Sequence, residues 1–158
     1  MEPAASALTP SLKFFADATV RVDKPQVVGH GPRGLRRIVP ILGGEFAGDG
    51  WHARVLAGGA DFQLIVSDTL TELDARYTLE LDGGDLVYVR NRALRSGPPE
   101  LMAKIARGEP VDPAAIYFRC SPSFETASHA LRWINERMFV GGGARLPDRV
   151  LMKFFLLD

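Results

Sequence analysis

The sequence predicts an all-β protein, folded as a closed antiparallel β-barrel with one principal α-helix. Many short apolar segments are separated by turn sequences such as "GG", "DTLT" and "DGGD", and they do not alternate with helices. Glycine pairs such as Gly43-Gly44 and Gly83-Gly84 are typical of tight turns and strong strand bends. Because closure removes exposed strand edges, we expect a barrel rather than a sandwich.

The first two thirds of the chain supply most of the predicted strands. We expect one domain over residues 12–158, preceded by a flexible arm over residues 1–11 that is rich in Ala, Pro and Ser. Strands are predicted at LKFFADATVRV, RRIVPILGGEF, WHARVLA, DFQLIVS, ELDARYTLEL and DLVYVRNRA. Pro40 and the glycine pair that follows it predict an edge, a bulge or a sharp bend in the second strand.

A helix interrupts this series before the last strands. Residues 99–107 begin with proline, place apolar side chains at helical spacing, and are followed by Gly108 and Pro110. Residues 128–137 predict a short second helix with Ser128 as its N-cap. The remaining strands are predicted at IYFRCSPSFET, RMFVGGGAR and VLMKFFLL.

Charge and cysteine content exclude several classes of partner. The chain has 158 residues, with 19 Lys and Arg balancing 19 Asp and Glu, so no surplus of positive charge favours nucleic acid or anionic lipid. Cys120 is the one cysteine and cannot form an internal disulfide, which fits a reducing compartment. Since neither a signal peptide nor a run of about 18 apolar residues is visible, we expect a cytoplasmic protein that does not associate with membranes.

The hairpin over residues 73–92 collects its charged groups at one end. With Gly83-Gly84 as a two-residue turn, the predicted register pairs Tyr77 with Arg90 and Arg76 with Asn91. Neither face of the hairpin is then fully apolar, so one face is expected to line a cavity that is apolar at one end and polar at the other. The alternative is a network of surface ion pairs formed by Asp74, Arg76 and Arg92.

A second cluster of candidates lies in YFRCSPSFET. Arg119 and Glu125 are surrounded in sequence by Tyr117, Phe118 and Phe124, where an unpaired carboxylate would tend toward protonation. Glu125 is therefore either an acid or base for catalysis or a buried partner of an arginine.

The ordered motifs GLRRIVPILGGEFAG, GGADFQ, LDARYTLEL, YVRNR, YFRCSPSFET, WIN and FVGGGAR resemble the family called domain of unknown function 3237, from about residue 29 to the C-terminus. The resemblance implies a closed barrel similar to allene oxide cyclase, dirigent and lipocalin barrels, with a small organic ligand inside. The family's polar positions correspond to Arg36, Asp61, Gln63, Asp74, Arg76, Arg90, Asn91, Arg119, Glu125, Asn135 and Arg145.

The predicted site follows from these residues. Asp74, Glu125 and Arg76 are the predicted catalytic residues. The predicted ligand-binding residues are Arg36, Asp61, Gln63, Tyr88, Arg90, Asn91, Arg119, Phe124, Asn135 and Arg145. Asp74, Arg76, Arg119 and Glu125 are expected to share one cavity, with aromatic residues such as Phe46, Tyr88 or Phe124 as its apolar wall. His30, His52, His129 and Cys120 form no recognisable catalytic or metal motif, so neither a metal nor a cofactor is predicted.

Three functions remain open at the level of sequence. The first is a cofactor-free acid–base enzyme, such as an isomerase, cyclase, dehydratase or lyase, acting on a small, partly apolar carbonyl or phenolic compound. The second is a carrier or sensor that binds such a compound without chemistry, and the third is a structural barrel whose polar interior only fixes its strands. A carboxylate that faces the cavity without an arginine partner would favour the enzyme. The partner is a small organic ligand, and a homodimer is left open.

Overall fold

Ten β-strands form one antiparallel sheet that closes on itself. The computed structural model describes residues 1–158. The strands are β1 (Leu12–Val22), β2 (Gln26–Gly31), β3 (Gly34–Gly48), β4 (Trp51–Val55), β5 (Ala60–Ile65), β6 (Leu70–Leu81), β7 (Leu86–Ser96), β8 (Tyr117–Thr126), β9 (Phe139–Arg145) and β10 (Arg149–Leu157). The helices are α1 (Ala5–Leu8) and α2 (Pro99–Ala106), and 3₁₀ turns lie at Pro113–Ala115 and Arg132–Glu136.

Pairing of β1 with β3 closes the barrel. The strands follow the order β1, β10, β9, β8, β7, β6, and both β4 and β5 then bridge β6 to β3. Strand β2 pairs with the first half of β3 and β1 with its second half, so ten strands occupy eight positions around the barrel. The predicted closed antiparallel barrel with one principal helix is confirmed.

A close approach between β1 and β3 requires glycine in the middle of β3. Gly44 has a φ of +136°, and a Cβ atom there would lie 1.9 Å from the carbonyl oxygen of Thr19. A side chain at this position would therefore clash with the backbone of β1 and strain its own backbone. On the other side of β3, residues 35–40 pair with β5 and β4 pairs from Gly44 onward, so residues 41–43 lie opposite the gap between β4 and β5. This irregularity agrees with the bend predicted near Pro40.

The barrel interior is apolar toward one end and polar toward the other. Phe15, Phe124 and Phe139 pack against one another with ring centroids 4.7 to 5.4 Å apart, and Phe46 stacks on Phe154 at 5.4 Å. Leu131 and Ile134, from the segment around the second 3₁₀ turn, join this cluster. The sequence prediction of a helix capped by Ser128 is wrong, because this segment forms only a 3₁₀ turn at Arg132–Glu136 with Leu131 at its N-terminus.

Helix α2 packs beside the polar part of the interior. Met102 and Ile105 are its buried residues, and Nη1 of Arg37 in β3 donates to the carbonyl oxygen of Ala106 at 2.9 Å. A cation at the C-terminal end of a helix is also favoured by the helix dipole. The helix predicted at residues 99–107 is confirmed.

All nine predicted strands exist within a few residues of their expected bounds, but β2 was not predicted. Its sequence, QVVGHG, has no apolar alternation, and all its residues but one are exposed. A strand that contributes little to the core lacks the pattern by which strands are found in sequence.

Candidate functional site

The β6–β7 register determines which charges enter the barrel, and it differs by one residue from the predicted register. Tyr77 pairs with Val89 and Arg76 with Arg90, where the sequence predicted Arg90 and Asn91. The loop has three residues, Asp82-Gly83-Gly84, because the amide of Leu81 donates to the carbonyl of Asp85 at 2.8 Å and Gly84 adopts a φ of +95°.

This shift exchanges the faces of β7. Tyr77 and Leu79 of β6 share the interior with Val87, Val89 and Asn91 of β7. Tyr88 and Arg90, predicted to share a face with Tyr77, lie outside instead. The inner face of the hairpin is therefore mostly apolar, and the mixed faces inferred from the sequence resulted from the wrong register.

The predicted catalytic residues Asp74 and Arg76 lie on the outer surface. Arg90 donates to the Asp74 carboxylate at 3.2 and 3.1 Å, and Arg76 donates at 3.1 Å. Partial desolvation alone would raise the pKa of Asp74, but these hydrogen bonds outweigh it and hold the pKa below its usual value. The geometry matches the alternative of a surface ion-pair network, with Arg90 in place of the predicted Arg92.

Strand β8 also turns its predicted site residues outward. Its buried side chains are Phe118, Cys120, Pro122 and Phe124, so Arg119 and Glu125 alternate onto the exposed face. The guanidinium of Arg119 donates to the carbonyl of Phe118 at 2.9 Å. The prediction that Asp74, Arg76, Arg119 and Glu125 share one interior cavity is therefore wrong.

A different polar cluster occupies the interior. It comprises Arg37 of β3, Asp61 and Gln63 of β5, Tyr77 of β6, Asn91 and Arg95 of β7, and Arg145 of β9. Cross-strand pairing brings its centre together, because Ala75 of β6 pairs with Asp61 on one side and with Asn91 on the other. Side chains at paired positions point to the same face of a sheet, so both polar groups enter the barrel beside a small residue.

Asp61 is held by neutral donors. Gln63 Nε2 donates to its Oδ2 at 2.9 Å, and the backbone amide of Asp74 donates to its Oδ1 at 3.1 Å. Desolvation raises the pKa of Asp61 above its ordinary value of 3.8, although these bonds and the nearby charges of Arg95 and Arg145 act in the opposite direction. Such a carboxylate binds a proton more readily than an exposed aspartate.

Three arginines surround this single acid. Burial is the main cause that lowers the pKa of each guanidinium, and it brings that of Arg95 to about 10. Arg37 Nη2 donates to Gln63 Oε1 at 3.2 Å. However, Nε of Arg37, Nε of Arg95 and Nη1 of Arg145 are buried without a hydrogen-bond partner in the protein. Buried donors without partners are costly, so a ligand that accepted hydrogen bonds from them would stabilise this arrangement.

The cluster lines a cavity of about 50 Å³. Asp61, Gln63, Tyr77, Asn91, Arg95 and Arg145 provide its polar surface, and its apolar wall includes Val39, Ile41, Leu73 and Met152. Arg95 also borders a space of about 110 Å³ beneath helix α2, which Arg37 lines as well. Access to the interior cavity from the end that carries α2 would pass these two arginines.

Larger grooves lie on the outside of the barrel, but their polar groups are solvated or already paired. One, of about 490 Å³, is lined by Arg36, Asp74, Arg92 and Arg119, and therefore does collect three of the predicted residues. Of its two carboxylates, Asp74 is already paired by Arg76 and Arg90, and Glu72 is exposed to solvent. Another, of about 950 Å³, runs along the three glycines of β9 and is mostly apolar. Neither places an unpaired charge out of solvent.

The structure divides the predicted ligand-binding residues into two groups. Asp61, Gln63, Asn91, Phe124 and Arg145 point inward, although Phe124 belongs to the aromatic cluster rather than to the cavity. Arg36, Tyr88, Arg90, Arg119 and Asn135 lie outside. Asn135 exchanges two hydrogen bonds of 2.9 Å with the backbone of Thr126, which is a structural contact.

Arg37, Arg95 and Tyr77 were not predicted as site residues. A signal for Arg37 was present, because it precedes Val39 and Ile41 at intervals of two and therefore shares their buried face. Whether Arg95 and Tyr77 point into the barrel depended on the register of β6 and β7.

No group of three or more His, Cys, Asp or Glu side chains is arranged to hold a metal ion. None of the helices has the length and apolar character needed to cross a membrane.

Comparison with known proteins shows the family. The sequence model described as "Protein of unknown function (DUF3237)" matches residues 10–157. The chain belongs to the DUF3237 family. A UPF0311 protein of Rhodopseudomonas palustris is 47% identical over 147 residues, which cover 92% of this chain and 96% of the relative. A UPF0311 protein of Clostridium acetobutylicum is 41% identical and covers 89% of each chain.

Several solved structures share the barrel. A conserved protein of unknown function from R. palustris superposes with a TM-score of 0.90 at 44% identity, covering 95% of this chain and 99% of that one. A β-barrel-like protein from Acinetobacter baumannii has a TM-score of 0.83 at 34% identity, covering 99% of each chain. An enzyme from Penicillium herquei, at 16% identity and a TM-score of 0.71, shares the fold alone.

Proposed function

We propose that this DUF3237 barrel is a cofactor-free acid–base enzyme that acts on a small carbonyl compound in its interior cavity, with Asp61 as the proton-transfer residue. Asp61 takes the role that the sequence assigned to Asp74 and Glu125. The observation that carries the proposal is its environment, since Asp61 lines the cavity and no arginine or lysine nitrogen lies within 4.0 Å of its carboxylate. A desolvated carboxylate without an ion-pair partner is suited to accept a proton.

The chemistry requires no group outside the protein and the substrate. Asp61 removes a proton from the carbon next to a carbonyl, and the C–H electron pair moves to the carbonyl oxygen as an enolate forms. Arg95 and Arg145 line the same cavity and stabilise the negative charge on that oxygen. Protonated Asp61 then returns its proton to a carbon of the enolate, which completes an isomerisation. In an elimination the enolate instead expels a leaving group from the neighbouring carbon, and protonated Asp61 gives its proton to that departing group.

A second candidate is a binding barrel that holds the same compound without chemistry. The hydrogen bonds that Gln63 and the backbone amide of Asp74 donate to Asp61 favour the binding barrel, because a carboxylate held in a fixed position suits recognition as well as catalysis. The two functions differ in whether the bound compound exchanges a carbon-bound proton.

Proton exchange in heavy water tests the proposal. The wild type is incubated with a panel of two- to five-carbon aldehydes, ketones and keto acids in D₂O, and loss of the proton signal next to the carbonyl is followed by NMR. We expect exchange of at least one compound above the buffer rate. Asp61→Asn should lower the exchange rate by roughly 10²–10⁴-fold, the range for a lost general acid or base.

Asp74→Asn is the matched control, because it removes a carboxylate from the outer surface of the next strand. We expect its exchange rate to equal that of the wild type. Equal rates in the wild type and in Asp61→Asn would contradict the proposal. Binding of a compound without any exchange would instead favour the binding barrel.

A further inference from the structure

The interior cluster carries more positive than negative charge. Arg37, Arg95 and Arg145 face one acid, Asp61, so the cluster keeps an excess of positive charge whether or not Asp61 is ionised. The other acids near these arginines are Asp68 and Asp148, and both are exposed to solvent. Buried charge that the protein does not neutralise is costly, and an anionic ligand would relieve that cost.

Two of the arginines line the cavity and carry buried N–H donors without a partner in the protein. Arg95 is only 3% exposed, its Nε has no hydrogen-bond partner, and its guanidinium lies 5.6 Å from the centre of the Phe118 ring. Nη1 of Arg145 is likewise buried without a partner. Asn91, which is 7% exposed, adds a third polar side chain to the cavity lining. Planar guanidinium groups with free N–H donors match the two oxygens of a carboxylate.

We infer that the compound bound in this cavity is a small organic carboxylate, whose anionic group is held by Arg95 and Arg145 and whose carbon chain lies against Val39, Ile41 and Met152. The inference rests on the proposed function in sharing its cavity, and it names the substrate class. One transient enolate would not require this excess of arginines, whereas a carboxylate present throughout the reaction would.

The cavity also distinguishes a carboxylate from inorganic phosphate. Its wall is largely apolar, formed by residues such as Val20, Leu73 and Val150. Phosphate has no apolar part to cover these side chains, and it would bring a second charge into a space of about 50 Å³. A carboxylate with a short carbon chain satisfies the donors and covers the apolar wall together.

Calorimetric titration of the whole protein with propanoate tests the inference, with propanamide as the neutral analogue of the same shape and with inorganic phosphate as a second anion. Ionic strength is kept constant with chloride. We expect propanoate to bind and to raise the melting temperature. Propanamide and phosphate should bind at least about tenfold more weakly, because one lacks the charge and the other lacks the apolar chain.

Substitutions of the interior arginines test whether propanoate binds in this cavity. Arg95→Gln and Arg145→Gln should each weaken propanoate binding by at least about tenfold. Because Arg95 is almost fully buried, Arg145→Gln provides the test if Arg95→Gln does not fold. Arg149→Gln is the control, since Arg149 pairs with Asp148 at the surface and its side chain is 43% exposed. It should bind propanoate as the wild type does.

Asp61→Asn separates this inference from the proposed function. It should still bind propanoate at least as tightly as the wild type, because it removes a negative charge beside the anion, while its rate of proton exchange on the carbonyl compounds should fall by roughly 10²–10⁴-fold. Several results would overturn the inference: no binding of propanoate, equal affinity for propanamide or phosphate, or unchanged affinity in Arg145→Gln.

Discussion

Asp61 and Asp74 lie on neighbouring strands but have opposite environments. Asp61 accepts hydrogen bonds from neutral groups inside the barrel, one of them the backbone amide of Asp74. Asp74 accepts hydrogen bonds from Arg76 and Arg90 outside. The direction in which each side chain leaves its strand therefore determines whether burial or a neighbouring cation dominates its pKa.

The unfolding free energy should depend on pH through Asp61. Its folded pKa lies above its ordinary value of 3.8, so between these two pKa values the native state binds more protons than the unfolded state. Stability contributed by this group is then lost as the pH rises through that window. We measure the unfolding free energy of the wild type and of Asp61→Asn by urea denaturation between about pH 3.5 and 7. The value for the wild type minus the value for the variant should fall as the pH rises.

Asp74 provides a control of opposite sign. Its folded pKa lies below 3.8, so its contribution to stability is present above that value and is lost as the pH falls through the folded pKa. The unfolding free energy of the wild type minus that of Asp74→Asn should therefore rise with pH over the acid range. Parallel slopes for the two variants would show that Asp61 is not desolvated as the structure indicates.

Strand β3 carries two consecutive arginines to opposite sides of the barrel wall. Arg37 reaches inward and links Gln63 in the interior to the C-terminal turn of helix α2. Arg36 lies on the outer face, where it contacts the carbonyl oxygen of Gln63 at 3.4 Å. Alternation along a strand is enough to give neighbouring residues of one type two different roles.

Hydrogen exchange should detect the link between β3 and α2. Arg37→Met removes the bond to Ala106 while keeping an apolar stem of similar length. We expect the amides of residues 102–108 to exchange at least about tenfold faster, because a hydrogen bond to a charged group is lost, while amides of β6 and β7 keep their protection. Arg36→Met is the matched control and should leave exchange in α2 unchanged. Faster exchange throughout the barrel would indicate global destabilisation instead.

The closed sheet gives the molecule one interior, and Cys120 reports on its integrity. The thiol is buried beside Gly141 of the next strand, and desolvation raises its pKa to about 11. Both effects suppress the reactive thiolate as long as the barrel stays closed.

Alkylation of Cys120 should therefore require opening of the barrel. At pH 7.5 we expect iodoacetamide to modify the native protein at least about 100-fold more slowly than the protein in concentrated urea, from the difference in thiolate population alone. The modified fraction is followed by mass spectrometry at increasing urea concentrations. Rapid modification below the unfolding transition would show that the β8–β9 region opens locally.

Sequence by itself determined most of the elements, although not β2 or the 3₁₀ turn at Arg132–Glu136. Apolar alternation, glycine-rich turns and the proline and glycine signals around residues 99–110 were sufficient for nine strands, the barrel and helix α2. Four of the predicted polar residues, Asp61, Gln63, Asn91 and Arg145, do line the interior cavity. These signals are local or belong to ordered family motifs, so they can be found without coordinates.

Only the tertiary structure decided which charges meet inside. A loop of three residues rather than two moved Arg90 outside and left Asn91 inside, since one residue of register exchanges the faces of a strand. Arg37, Arg95 and Arg145 come from three strands far apart in sequence, and only closure of the barrel brings them around Asp61. Burial, which sets the pKa of Asp61, is a property of that assembled interior and has no counterpart in the sequence around residue 61.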